Sequence, residues 1–186
     1  MNTRDATALI AAAVPRESGA WADFGAGSGT FARALAARLD HGSRIYAVDR
    51  DPEALSVLER WAAREHRVIP VRADLEQRFD LPGLERGQLD GMLVANTLHF
   101  FADPPAVLAR LAAWLRPGGR AVIVEYDHRA ANRWVPYPIA AADLPSAAVV
   151  AGLSPPEITA RRRSAFGGIL YVAKCERLPE DRRHPT

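Results

Sequence analysis

The chain has 186 residues, 48% of them hydrophobic and 25% charged, the make-up of one globular domain long enough to bury a real core. A net charge of +2 is too small to argue for nucleic acid as the main partner. Lys174 is the only lysine and Cys175 the only cysteine, which nearly excludes a lysine nucleophile and rules out an internal disulfide or a cysteine-based zinc site.

Residues 3–13 read as an amphipathic packing helix. The apolar run Ala8 to Val14 is flanked by Arg4, Asp5, Pro15 and Arg16, which suits packing better than a secretory leader. Strand one covers 20–24. Gly25-Ala26-Gly27-Ser28-Gly29 then forms a tight turn into a helix over 29–39, with Phe31, Leu35 and Leu39 at helical spacing. Glycine has no Cβ to hold a ligand off the backbone, and a helix N-terminus adds partial positive charge. An anionic group is therefore expected at this turn. The pattern G-x-G-x-G lacks the third-glycine offset of the dinucleotide fingerprint.

Strand two, 43–48, leads into Asp49, which follows Gly29 by 20 positions. That is close to the spacing of about 20 residues expected of a ribose-binding acid. Asp51 directly precedes Pro52 and suits the cap of the next helix, 52–64, better than Asp49 does. Asp49 is left for a ligand. Leu55, Leu58 and Trp61 make the buried stripe of that helix.

Strand three covers 67–71, and 75–88 is loop, broken by Pro82-Gly83 and Gly87. Strand four spans 89–95. A helix over 104–116 ends at Pro117-Gly118-Gly119, and strand five spans 120–126. After a proline-bearing loop come two strands, 157–165 and 168–175. The Gly167-Gly168 turn between them is so short that they must pair antiparallel. No apolar run approaches the ~18 residues of a membrane-spanning helix. The expected architecture is α/β: a doubly wound, mostly parallel seven-stranded sheet with a C-terminal antiparallel hairpin, in a three-layer α/β/α sandwich. Residues 1–176 are expected to form one domain, and the charged tail 177–186 to be disordered.

Asp23 to Gly29, Tyr46 to Asp49, Arg72 to Leu75, Leu89 to His99 and Leu111 to Arg120 resemble, in order and spacing, successive motifs of the class I S-adenosylmethionine-dependent methyltransferases. The resemblance implies S-adenosyl-L-methionine as cofactor and a cytoplasmic enzyme that methylates a small molecule. It also implies that the glycine turn holds the cofactor's carboxylate through backbone N–H groups. Asp49 would accept from the ribose hydroxyls, Asp74 from the adenine amine, and Leu75 would line the ring. A turn cap is the alternative for Asp74. The implied cofactor contacts are Asp23, Gly25, Ala26, Gly27, Gly29, Asp49, Arg50, Asp74, Leu75 and Asn96.

Ligands of open α/β sheets sit at the carboxyl ends of the strands. His99 and Tyr126 are thus the candidate catalytic groups, and Phe100, His128, Trp134 and Tyr137 the candidate acceptor contacts. His99 could instead bond locally, Trp134 and Tyr137 could simply pack their loop, and Arg161-Arg162-Arg163 could be a solvated strand. Methyl transfer from a sulfonium needs alignment and exclusion of water, and a base only if the acceptor keeps its proton. No metal, nucleic acid or membrane is expected. Only 19 residues precede strand one, and no strongly amphipathic helix separates strands five and six. The acceptor site is therefore expected to be open, degenerate, or completed in a homodimer. A non-catalytic, cofactor-binding regulator is the alternative function. A nicotinamide oxidoreductase is disfavoured by G-x-G-x-G and by the closing hairpin. A nucleic-acid methyltransferase is disfavoured because Asn96-Thr97-Leu98-His99 stands where Asn-Pro-Pro-aromatic would serve base amines.

Overall fold

The computed structural model describes residues 1–165 and 167–179. In chain order it contains α1 (Thr3–Ile10), β1 (Ala20–Phe24), α2 (Thr30–Arg38), β2 (Arg44–Asp49), α3 (Pro52–Ala62), β3 (Val68–Arg72) and β4 (Leu89–Ala95). A 3-10 turn (Leu98–Phe100), α4 (Pro104–Ala112), β5 (Leu115–Asp127), α5 (Leu144–Val150), β6 (Glu157–Arg163) and β7 (Ile169–Glu176) follow. The strands form one seven-stranded sheet in the order β3-β2-β1-β4-β5-β7-β6. β1 to β5 pair in parallel, and β7 runs antiparallel to both β5 and β6. The expected doubly wound sheet with its closing hairpin is the observed architecture.

Side chains of alternate residues on a strand point to opposite faces, and here both faces are apolar. Tyr46, Val48, Met92, Val94, Ala121 and Ile123 pack with Leu108 and Leu111 of α4 and Leu144 and Ala148 of α5. Ile45, Ala47, Leu93, Ala95, Val122 and Val124 pack on the other face with Leu9 and Ile10 of α1, Leu35 of α2 and Leu58 of α3. Burial on both faces is what makes these strands read as nearly continuous hydrophobic runs. Between β3 and β4 the expected loop takes the place of a helix. Phe79 anchors it, stacked on Trp114 with centroids 5.6 Å apart and set edge-on to Phe24 at 6.0 Å.

Four expectations need correcting. α1 stops at Ile10, whose carbonyl then accepts from both Ala13 and Val14 in a turn. The helix expected over 104–116 ends at Ala112, and Pro117-Gly118-Gly119 lies inside β5. Leu115 pairs with Leu89 and Arg120 with Gly91, so residues 116–119 loop out of the ladder. A helix not expected at all, α5, forms behind Pro145, which sits in its first turn where a missing N–H costs nothing. Finally, the tail expected to be disordered begins ordered. Arg177 is buried, exchanges hydrogen bonds with Gly118 and Gly119, and donates to Ala151 O, while Leu178 N–H donates to Gly152 O. The part of that expectation covering 180–186 lies outside the described residues.

Candidate functional site

β1 and β2 end side by side, with Phe24 in register with Val48. The glycine turn after β1 is tied to the end of β2. Gly25 N–H and Ala26 N–H both donate to Val48 O, at 2.8 and 3.0 Å, and Gly29 N–H donates to Ala26 O at 2.9 Å. Gly27 N–H donates to Asp49 Oδ2 at 2.7 Å. These four amides thus have acceptors within the protein and are not the anion cradle the sequence suggested. The donors left for a ligand, among the described residues, are the Ser28, Thr30 and Phe31 N–H groups at the start of α2.

The three glycines answer to different neighbours. A Cβ on Gly25 would collide with the Thr97 side chain, and one on Gly29 with Leu58 of α3. A Cβ on Gly27 would meet nothing within 4 Å and would project into the cleft. Only at Gly27, at φ +51°, does a glycine keep space open for a ligand.

Asp51 caps α3 as expected, its Oδ1 accepting from Glu53 and Ala54 N–H at 2.9 and 3.3 Å. Asp49 accepts Gly27 N–H on one oxygen and Asp51 N–H on the other, the latter at 2.9 Å. An ionised carboxylate has about four acceptor positions, so each oxygen keeps capacity for a ligand hydroxyl. Asp74 is both cap and wall: Oδ1 accepts from Glu76 N–H at 2.9 Å while the residue lines the cleft.

The cleft has two lobes. The first, about 360 Å³, is lined by Gly25, Gly27, Asp49, Arg50, Ala73, Asp74, Leu75, Glu76, Asn96, Thr97, Phe100 and Phe101. The second, about 680 Å³, is lined mainly by Asp5, Ala26, Ser28, Thr30, Phe31, Tyr126, Arg162, Arg163 and Leu170. Gly25, Gly27 and Asn96 belong to both. Asn96, at this junction, has a buried Oδ1 with no protein partner, and so do both carboxylate oxygens of Asp23, which lines neither lobe. Asn96 is held at φ +52°, which is uncommon outside glycine. Burial first, and the charge of Asp49 second, push the Asp23 carboxyl up to about 7; the backbone N–H of Ala32 opposes this. Burial likewise pushes the Cys175 thiol up to about 12, so it offers no thiolate at neutral pH.

The profile of the methyltransferase-domain family matches residues 22–123. The chain belongs to this family. A demethylmenaquinone methyltransferase of Clavibacter sepedonicus is 35% identical over 105 residues, covering 56% of this chain and 40% of that protein. Among solved structures, the 1,6-didemethyltoxoflavin-N1-methyltransferase of Burkholderia thailandensis, with 1,6-didemethyltoxoflavin and S-adenosylhomocysteine bound, aligns at TM-score 0.71 and 25% identity over 95% of this chain and 78% of that one. The [4+2]-cyclase SpnF aligns at TM-score 0.73 and 16% identity over 95% and 80%. The chain spans less than half the length of the curated relatives it matches. The fold is that of the class I S-adenosylmethionine-dependent methyltransferases, and S-adenosylmethionine is the cofactor that fold and family assign.

The residues present fit that cofactor. Its ammonium and hydroxyls need acceptors: the cleft has an unpartnered one at Asn96 and a partly free one at Asp49, and Asp23, outside the lining, holds two more unpartnered oxygens. Of the expected contacts, Gly25, Gly27, Asp49, Arg50, Asp74, Leu75 and Asn96 come together in the first lobe and Ala26 in the second. Asp23 lies buried beside the turn, and Gly29 packs against α3.

The expected acceptor residues separate. Phe100 lines the first lobe and Tyr126 the second, the Tyr126 hydroxyl 3.4 Å from Ser164 Oγ. His99 is buried and lines neither lobe; its Nδ1 bonds Glu125. His128, Trp134 and Tyr137 are exposed and also line neither. Trp134 lies under the Arg133 guanidinium, while the loop itself is anchored by buried Val135 and by Tyr137 N–H donating to His99 O. Sequence reasoning missed Glu76, Phe101 and the α1 contribution to the walls. It also missed Glu125 as the partner of His99, although an acid following the apolar run Ala121 to Val124 was a signal that a buried charge needs a partner.

Proposed function

We propose that the chain binds S-adenosylmethionine in this two-lobed cleft and transfers its methyl group to a small molecule. The carrying observation is the placement of Asp49: it closes the glycine turn through Gly27 and shares one cleft with Asp74, Leu75 and Asn96. Asp49 receives the ribose hydroxyls, Asp74 and Leu75 receive the adenine, and Asp23 and Asn96 receive the ammonium. When bound, S-adenosylmethionine supplies an activated methyl carbon on a sulfonium, open to in-line displacement. The chain's own contribution is alignment and exclusion of water. Phe100 and Tyr126 form apolar walls on either side of the junction at Asn96. His99 has its Nδ1 engaged by Glu125 and supports the strand tips rather than the acceptor.

A non-catalytic, cofactor-binding role is the second reading. It is favoured by the same burial of His99, and because a shared fold does not fix a reaction. The deciding experiment is a screen of metabolite extracts with S-adenosylmethionine carrying a labelled methyl group. Transfer of label to a small component supports the enzyme. Saturable cofactor binding with no labelled component in any extract supports the second reading.

A further inference from the structure

The three consecutive arginines of β6 are sorted by the structure into different tasks. Arg161 pairs with the buried Asp127. Arg162 pairs with Asp5 of α1 at 3.1 Å. Arg163, the last residue of β6, has no acidic partner among the described residues, is exposed, and lines the second lobe. β7 runs antiparallel to both β5 and β6, so β6 points the same way as β1 and β4. Its carboxyl end therefore lies at the edge of the sheet that holds Gly27 and Asn96.

The walls of the two lobes differ in charge. The first presents Asp49, Asp74 and Glu76 against Arg50 alone. The second presents Arg162 and Arg163 against Asp5 alone. An unneutralised guanidinium on a cavity wall offers a fork of donors matched to a carboxylate or phosphate.

We infer that the second lobe holds an anion subsite and that the methyl acceptor carries a carboxylate or phosphate gripped by Arg163, with Arg162 beside it. This rests on the methyl-transfer reading above. The cofactor brings a carboxylate of its own, a second source of the same chemistry. The free Ser28, Thr30 and Phe31 N–H groups at the start of α2 already provide for it. At about 680 Å³, against about 360 Å³ for the first lobe, the second has room for both groups.

The test follows inorganic phosphate by phosphorus NMR titration against the full chain saturated with S-adenosylhomocysteine, in a low-salt buffer free of other multivalent anions. Affinity for S-adenosylhomocysteine is measured separately by calorimetry. The expected result is phosphate binding that weakens at least tenfold in Arg163→Ala and recovers in part in Arg163→Lys. S-adenosylhomocysteine affinity should stay within twofold in both variants. Phosphate binding that Arg163→Ala leaves unchanged overturns the inference. So does a tenfold loss of S-adenosylhomocysteine affinity in that variant, which gives Arg163 to the cofactor's carboxylate. Failure of the unaltered chain to bind S-adenosylhomocysteine is a different result: it overturns the proposed function, and the acceptor assignment with it.

Discussion

The Nδ1 of His99 lies 2.6 Å from Oε2 of Glu125, and both side chains are buried. The other oxygen of Glu125 accepts from Thr97 N–H at 3.0 Å and from His99 N–H at 3.4 Å. One carboxylate on β5 thus fixes the segment after β4 that carries Thr97 and Phe100 into the cleft. Through His99 O it also steadies the loop at Tyr137. Removing one partner of a buried pair costs about 3–5 kcal/mol. Glu125→Ala should lose about that much stability in urea unfolding. A double-mutant cycle with His99→Ala should give a coupling of about 1–3 kcal/mol. Strict additivity would show that the pair does not act as a unit.

S-adenosylhomocysteine should raise the melting temperature, and NADH should not. At a ligand concentration 100 times the dissociation constant, linkage gives roughly 2.7 kcal/mol. For a chain of this size that is about 5–10 °C. Stabilisation by NADH alone would contradict the cofactor assignment.

Asp49→Ala should weaken S-adenosylhomocysteine binding by about 1.5–3 kcal/mol, the range for hydrogen bonds to a charged group. It also frees Gly27 N–H, so the turn loses a tie as the ligand loses an acceptor. Gly27→Val should do worse, because its Cβ enters the cleft and its backbone is held at φ +51°. Calorimetry showing unchanged affinity in both variants would place the ligand elsewhere.

Asp23 gives the free protein a pH dependence of definite sign. Its carboxyl lies near 7 in the folded chain against an ordinary 3.8. Between those values the folded chain binds more protons than the unfolded one, so stability falls as pH rises from about 4 to about 7 and then levels off. A shift of this size is worth on the order of 4 kcal/mol. Asp23→Asn should flatten this dependence in melts at pH 5 and pH 8. An equal slope in variant and parent would assign it to another group.

The sheet and the first lobe were largely legible in the sequence because their signals are local. Apolar strands, a glycine turn and Asp49 at a strand end each declare themselves within a few residues. What the neighbouring strand does was not legible: Val48 and Asp49 occupy the very amides that the turn seemed to offer. The long reach of β5 was hidden because Pro117-Gly118-Gly119 makes the same local signal in a turn and in a looped-out strand. The second lobe was the least readable. Asp5 and Arg162 meet across it from positions 157 apart, and no local pattern announces that meeting.

The position of β7 has a consequence for how the chain folds. β7 follows β6 in sequence, yet among the described residues it alone joins β6 to the rest of the sheet. Until β7 docks on β5, the arginine-bearing strand has only its hairpin with β7, detached from the rest of the sheet, and the second lobe lacks a wall. Docking of β7 also brings in Arg177, which closes on Gly118 and Gly119 at the looped-out stretch of β5. Pairings between segments far apart in sequence are slow to form, and they leave strand edges exposed meanwhile. The first lobe should therefore mature before the second. In pulse-labelled hydrogen exchange during refolding, the amides of β1, β2 and β4 should gain protection first, and those of β6 and β7 later and together.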